Sequence, residues 1–156
     1  MNFDQSVALL GHALPEVFTT MLSIQPVLGT PYESKTPLTA SELIALIALA
    51  GQERGSVSIH TSRAQAAALT ATLLGMSPGQ VSDMDEIRDA MGEIINMVAG
   101  DVKLSLANQS VAVEISLPTV VIGPEISITV QAHRSVVAPF DTPFGRILVE
   151  LVLERP

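Results

Sequence analysis

The chain has 156 residues, of which 47% are hydrophobic, 15% charged and 3% aromatic, with no cysteine and no tryptophan. That length predicts one domain over residues 1–156, since domains run to roughly 100–200 residues, and its core must be aliphatic. Lys plus Arg number 8 against 16 Asp plus Glu, a net charge of −8; this argues against nucleic acid and anionic membrane surfaces, and the missing thiols exclude disulfides, thiol catalysis and thiolate metal sites.

The N-terminus reads MNFDQSVALLGHALPEVF. No Lys or Arg precedes its apolar stretch, and Asp4 stands where a signal peptide carries positive charge. The longest apolar run, LIALIALA at 43–50, falls well short of the roughly 18 residues that suggest a membrane span. A soluble, cytoplasmic protein is the expectation. Residues 4–20 read as a helix on the three- and four-residue spacing of Val7, Leu10, Leu14, Val17 and Phe18; Pro15 would kink it or start a second short turn. Residues 21–33 predict an irregular edge strand broken by Pro26, Gly29 and Pro31, and SKTPLTAS (34–41) a polar turn.

Residues 42–50 and 55–60 predict two strands joined by GQERG. Thr61 or Ser62 can cap a helix through RAQAAALTATLLG, with Gly75 as its stop, and SPGQ (77–80) is a turn. The longest helix spans about 84–106, with Asp83 as its N-cap. Three β-branched runs follow at 111–117, 125–133 and 145–154, separated by PTVVIGP and SVVAPFDTPF. The order predicts an α/β (α+β) domain with a largely antiparallel sheet and helices on one face.

The stretch DEIRDAMGEIINMVAGDVKLSL (85–106) carries the most information. At about 100° per residue, Ile87, Met91, Ile94, Ile95, Val98 and Val102 fall in one apolar stripe. Asp89, Glu93, Asn96, Gly100 and Lys103 cluster nearly opposite. Glu93 and Asn96, three residues apart, are surface neighbours. Gly100 leaves bare backbone one turn beyond Asn96, unless the helix breaks at Gly100–Asp101. On geometry alone this is the solvated face of any amphipathic helix. The chain has only three asparagines, however, and no other Glu is followed three residues later by Asn.

Those residues resemble the signature helix of the CheC/CheX/FliY family of chemotaxis phosphatases: an Asp or Ser, then Glu-x-x-Asn, then a glycine, here Asp89, Glu93, Asn96 and Gly100. The likeness is closest to the CheX branch, because the motif occurs once. SLPTVVIG (116–123) is similar to the CheX strand after the helix, and PFDTPFGRILVELVLE to the final strand. The resemblance implies a CheC-like fold and removal of the phosphoryl group from the phospho-aspartate of a CheY-type response regulator. Asn96 would orient the attacking water and Glu93 would anchor to the regulator's lysine, the two catalytic candidates. Asp89, Met97, Gly100 and Lys103 would serve docking. No metal or cofactor of its own is implied; Mg²⁺ would belong to the regulator. A homodimer built through the sheets is also implied. The alternative is a non-catalytic adaptor binding a receiver domain or a flagellar switch component.

Other candidates are weaker. His12, His60 and His133 lack metal-ligand spacing. Ser56, Ser58 and Ser62 lie near His60 without a nucleophile elbow, and no Gly-rich phosphate loop is present.

Overall fold

Asn2 opens helix α1 (Phe3–Leu22) with a capping box: its side-chain oxygen accepts from the Gln5 N–H and the Gln5 side chain accepts from the Asn2 N–H, each at 2.8 Å. The computed structural model describes residues 1–35, 41–127 and 133–154. The helix is uninterrupted through Pro15 to Leu22, so no second turn starts there. Proline removes one helical N–H donor, but Leu10, Leu14, Val17, Phe18 and Leu22 around it are buried. Ser23 ends the helix in the left-handed region, φ 53, with its N–H on the Phe18 carbonyl. The single strand expected over 21–33 is therefore two short ones, β1 (Val27–Leu28) and β2 (Tyr32–Ser34), both edge strands on the same neighbour. Most of the polar turn expected at 34–41 lies outside the described residues.

The predicted hairpin is present as β3 (Ser41–Gly51) and β4 (Gly55–Thr61), paired from Leu43↔Thr61 to Leu49↔Gly55. Gly51, at φ 137, sits where a Cβ would stand 2.6 Å from the Ala112 carbonyl oxygen, so no other residue fits without movement. Ser62, not Thr61, caps helix α2 (Arg63–Leu73), in a capping box with Gln65. Asp83 caps helix α3 (Met84–Asn108), accepting from the N–H groups of Asp85 and Glu86 at 2.8 and 3.4 Å. Asp85 and Glu86 add negative charge at its positive end. Helix α3 is continuous through Gly100 and Asp101, so the break considered there does not occur.

Among the described residues, the C-terminal third has four strands where three were expected: β5 (Val113–Ile115), β6 (Thr119–Ile126), β7 (His133–Thr142) and β8 (Gly145–Glu154). PTVVIGP and SVVAPFDTPF, read as connectors, are mostly strand. Of the strand expected at 125–133, residues 125–126 end β6, His133 begins β7, and 128–132 lie outside the described residues. Proline misled the reading in both places. Pro124 lies on β6, which among the described residues pairs with β3 alone, near a register shift between Ser41 and Leu43; edge strands and bulges tolerate it. Pro139 lies inside β7, but its carbonyl accepts from Gly29 N–H at 2.8 Å on the side of β1 and β2. In an antiparallel strand the missing N–H points to that same side, into the gap between those short strands.

The sheet is antiparallel throughout its pairings, in the order β1-β7-β8-β4-β3-β5, with β2 also beside β7 and β6 also beside β3. Alternate residues of one face (Leu43, Ala45 and Ile47; Val57 and Ile59; Ile147, Val149 and Leu151) join the buried side chains of all three helices in one core. Fully burying each such Val, Leu or Ile contributes roughly 1.5–3 kcal/mol.

The other face holds a buried polar row. Ser58 Oγ lies 2.9 Å from His60 Nε2, the Ser135 hydroxyl donates to the Glu150 carboxylate, and His60 Nε2 is 3.7 Å from that carboxylate. Burial pushes the His60 imidazole down from 6.5 to about 4, so it is neutral when folded. The unfolded chain takes up the proton near 6.5 and the folded one only near 4, so this contribution to stability is present above 6.5 and is lost as the pH falls toward 4. Unfolding free energy should drop by roughly 2 kcal/mol between pH 7 and pH 5 from this group. Urea titrations of the wild type and His60→Gln at both values check this: the variant should lose that increment, and an equal drop in both would assign the acid sensitivity elsewhere.

Candidate functional site

Helix α3 positions the candidate site. Its buried stripe contains the predicted Ile87, Met91, Ile94, Ile95, Val98 and Val102 and is extended by Ala90, Ala99 and Leu106. Helix α1, helix α2 and the sheet all pack on α3. Asp89, Glu93 and Asn96 are consequently exposed on the opposite side.

Asp89, Glu93 and Asn96 line one wall of an open cleft of about 430 Å³, together with Arg88 and Gly92. The facing wall is Leu117, Pro118 and Val120, from the end of β5 into β6. Arg88 Nη1 donates to the Val120 carbonyl at 2.8 Å and ties the walls together. Gly92 faces Pro118 Cγ at 3.6 Å from where its Cβ would stand, so the walls meet closely at the cleft floor. Among the described residues, no hydrogen bond or ion pair engages the side chains of Asp89, Glu93 or Asn96. The cleft thus offers two carboxylates and one amide, donor and acceptor together, without prior commitments.

The remaining candidates divide. Gly100 is on the same helix face, half-buried, and nothing stands within 4 Å of where its Cβ would be. Met97 is half-buried and packs on the core edge. Lys103 does not line the cleft; its Nζ donates to Glu114 on β5 at 3.0 Å, an ion pair at an exposed site that is worth little by itself. Behind Gly100, Asp101 Oδ1 holds His12 Nδ1 of α1 at 2.8 Å, and that bond with the adjacent negative charge pushes the His12 imidazole upward. Sequence reasoning missed Arg88, Gly92 and the whole facing wall. The signal available was SLPTVVIG, whose apolar Leu117 had no core assignment. Among the described residues, no group of three or more His, Asp or Glu is placed to hold a metal ion, and no helix is long and apolar enough to cross a membrane.

The family model for the chemotaxis phosphatase CheX matches residues 43–141, which take in all of α3 and both walls of the cleft. The chain belongs to the CheX family. It is 29% identical over 122 residues to a CheY-P phosphatase CheX from Thermotoga maritima, covering 78% of this chain and 77% of that one. It is also similar to the crystal structure of a CheX from Desulfovibrio desulfuricans, with a TM-score of 0.87 and 28% identity over 96% of this chain and 99% of the other. A CheX in complex with CheY, BeF₃ and Mg²⁺ from Borrelia burgdorferi shares the fold at a TM-score of 0.79, with 19% identity and 96% and 97% coverage. This CheX-family chain therefore has the CheC-like fold expected of it, and its signature helix forms one wall of the cleft.

Gly100 gives the geometry a direct check. A glycine inside a helix costs about 0.5–1 kcal/mol relative to alanine, and here an added methyl group meets no atom. Gly100→Ala should stabilise the free protein by that amount in urea denaturation. A loss of stability instead would mean that residue 100 is not in open helix.

Proposed function

We propose that this chain dephosphorylates the phospho-aspartate of a CheY-type receiver domain, as a hydrolase of chemotaxis or motility signalling. The observation that carries the proposal is the exposed pair Glu93 and Asn96, unengaged and side by side on a helix whose other face is locked in the core. Membership of the CheX family and 29% identity to a named CheY-P phosphatase support it.

The chemistry suits such a site. Hydrolysis of an acyl phosphate forms a bond from water oxygen to phosphorus and breaks the phosphorus–oxygen bond to the aspartate, releasing inorganic phosphate and a carboxylate. Phosphoryl transfer depends chiefly on positioning and charge placement. In this reading the helix face enters the receiver's phosphorylation site. The Asn96 amide accepts a hydrogen bond from the water and donates to a phosphoryl oxygen, which fixes the line of attack without changing protonation state. Glu93 pairs with the receiver's lysine in a charge-assisted contact. Asp89 adds attraction, and Gly100 keeps the backbone low where the partner closes. Mg²⁺ belongs to the receiver and would neutralise phosphoryl charge there.

The test is loss of phosphate from phosphorylated receiver domains of the same organism, with Mg²⁺, under wild type, Asn96→Ala and Glu93→Gln. Wild type should accelerate the loss. Asn96→Ala should reduce kcat by about 10²–10³-fold, as removal of a transition-state positioning group does, with docking kept. Glu93→Gln should weaken docking by about ten- to a hundredfold, the value of one charge-assisted bond. Acceleration that survives in Asn96→Ala contradicts the assignment. Docking that depends on Glu93 without any acceleration would make the chain an adaptor.

A further inference from the structure

Leu117 is 86% exposed, more than any other large apolar side chain among the described residues, and it stands on the rim of the cleft opposite Glu93 and Asn96. An exposed leucine alone means little. This one is held on both sides. Ser116 N–H donates to the Ala48 carbonyl at 3.0 Å, Ala48 N–H donates to Ser116 Oγ at 2.9 Å, and that hydroxyl donates onward to the Leu117 carbonyl at 2.8 Å. On the other side Pro118 restricts the backbone and rests on Gly92, and Arg88 grips the Val120 carbonyl. The side chain is thus presented to solvent from a backbone that loses little freedom on binding, which is the property of an anchor residue.

Charge supplies the complement. Among the described residues lining the cleft with Leu117, Asp89 and Glu93 stand against one cation, Arg88, and exposed Asp85 and Glu86 lie about one turn earlier on the same helix. A surface of that sign selects a partner face with a cation, and an apolar projection beside it selects one with an apolar depression next to that cation. We propose that Leu117 is the specificity-determining contact of this site, seated in an apolar depression of the receiver domain beside its phosphorylated aspartate and lysine. This rests on the reading of the cleft as a receiver-docking site. Once seated, Leu117 closes the cleft rim and keeps water other than the attacking molecule away from the Glu93–lysine contact.

Leu117 makes the partner contact and not the chemistry, so its signature is a KM effect. Leu117→Ala and Leu117→Asn should raise KM for the phosphorylated receiver by about ten- to a hundredfold, the value of one buried leucine, and leave kcat within about twofold. Leu117→Met, of similar volume and apolarity, should keep KM within about threefold. Dissociation constants for the receiver activated with beryllofluoride and Mg²⁺ should follow the KM values. With Asn96→Ala in the same assay, the two claims separate. Unchanged KM and dissociation constant in Leu117→Ala and Leu117→Asn, with kcat lost in Asn96→Ala, overturns the role of Leu117 and leaves the phosphatase reading intact. A wild type that binds without accelerating hydrolysis overturns the phosphatase reading, and the dissociation constants still decide Leu117. A wild type that neither binds nor accelerates overturns both.

Discussion

Nine buried apolar side chains on helix α3, from Ile87 to Leu106, set the rotation of that helix about its axis. Turning it by one residue, about 100°, would push Glu93 or Asn96 toward the core and lift Ile94 or Ile95 into water. Each unpaired buried polar group would cost roughly 1–3 kcal/mol, and each exposed isoleucine forfeits a comparable amount. The orientation of the outward face is therefore a by-product of core packing. The cleft inherits its stiffness from the same source, because α1, α2 and the sheet all brace the helix. Site and core are two faces of one 25-residue element.

The second wall has a different origin. Segment 116–120 reaches the helix because β6 adds to the outer edge of β3, and it stays there through the Ser116–Ala48 clasp and the Arg88 bond to Val120. Small residues make the approach possible: Gly92 on the helix leaves room for Pro118. Acidic charge accumulates on the helix side and apolar surface on the strand side. A face divided this way is suited to recognising a partner by both sign and shape.

Much of this was legible in the amino-acid sequence. The 3.6-residue period of α3 placed both its core stripe and the Glu93–Asn96 pair correctly, because periodicity reports local geometry directly. The resemblance of DAMGEIINMVAGDVKLSL to the chemotaxis phosphatase signature agrees with the family match. The fold class was also legible, since strands and helices alternate in blocks. Proline hid part of the rest. Pro15 sits within a helix whose buried neighbours outweigh one lost hydrogen bond. Pro124 and Pro139 sit in strands at positions whose unpaired N–H side only the assembled sheet defines. Lys103 shares the helix face with Asn96 in projection, yet a carboxylate on β5 draws it aside. The facing wall at Leu117, Pro118 and Val120 left only the indirect signal of an apolar Leu117 without a core assignment, because contacts between elements are not written in the periodicity of either one.

The central claim is that the outward face of α3, with Asn96 at its centre, is the surface that meets an activated receiver domain. The chain has three asparagines, so the side-chain amide of Asn96 can be assigned in an NMR spectrum by comparison with one variant. Titration with a receiver domain activated by beryllofluoride and Mg²⁺ should shift or broaden the Asn96 amide signal and leave that of Asn108 in place, and the unactivated receiver should have a much weaker effect. An unmoved Asn96 signal, with perturbations gathered instead on β1 and β2 at the far edge of the sheet, would contradict the account.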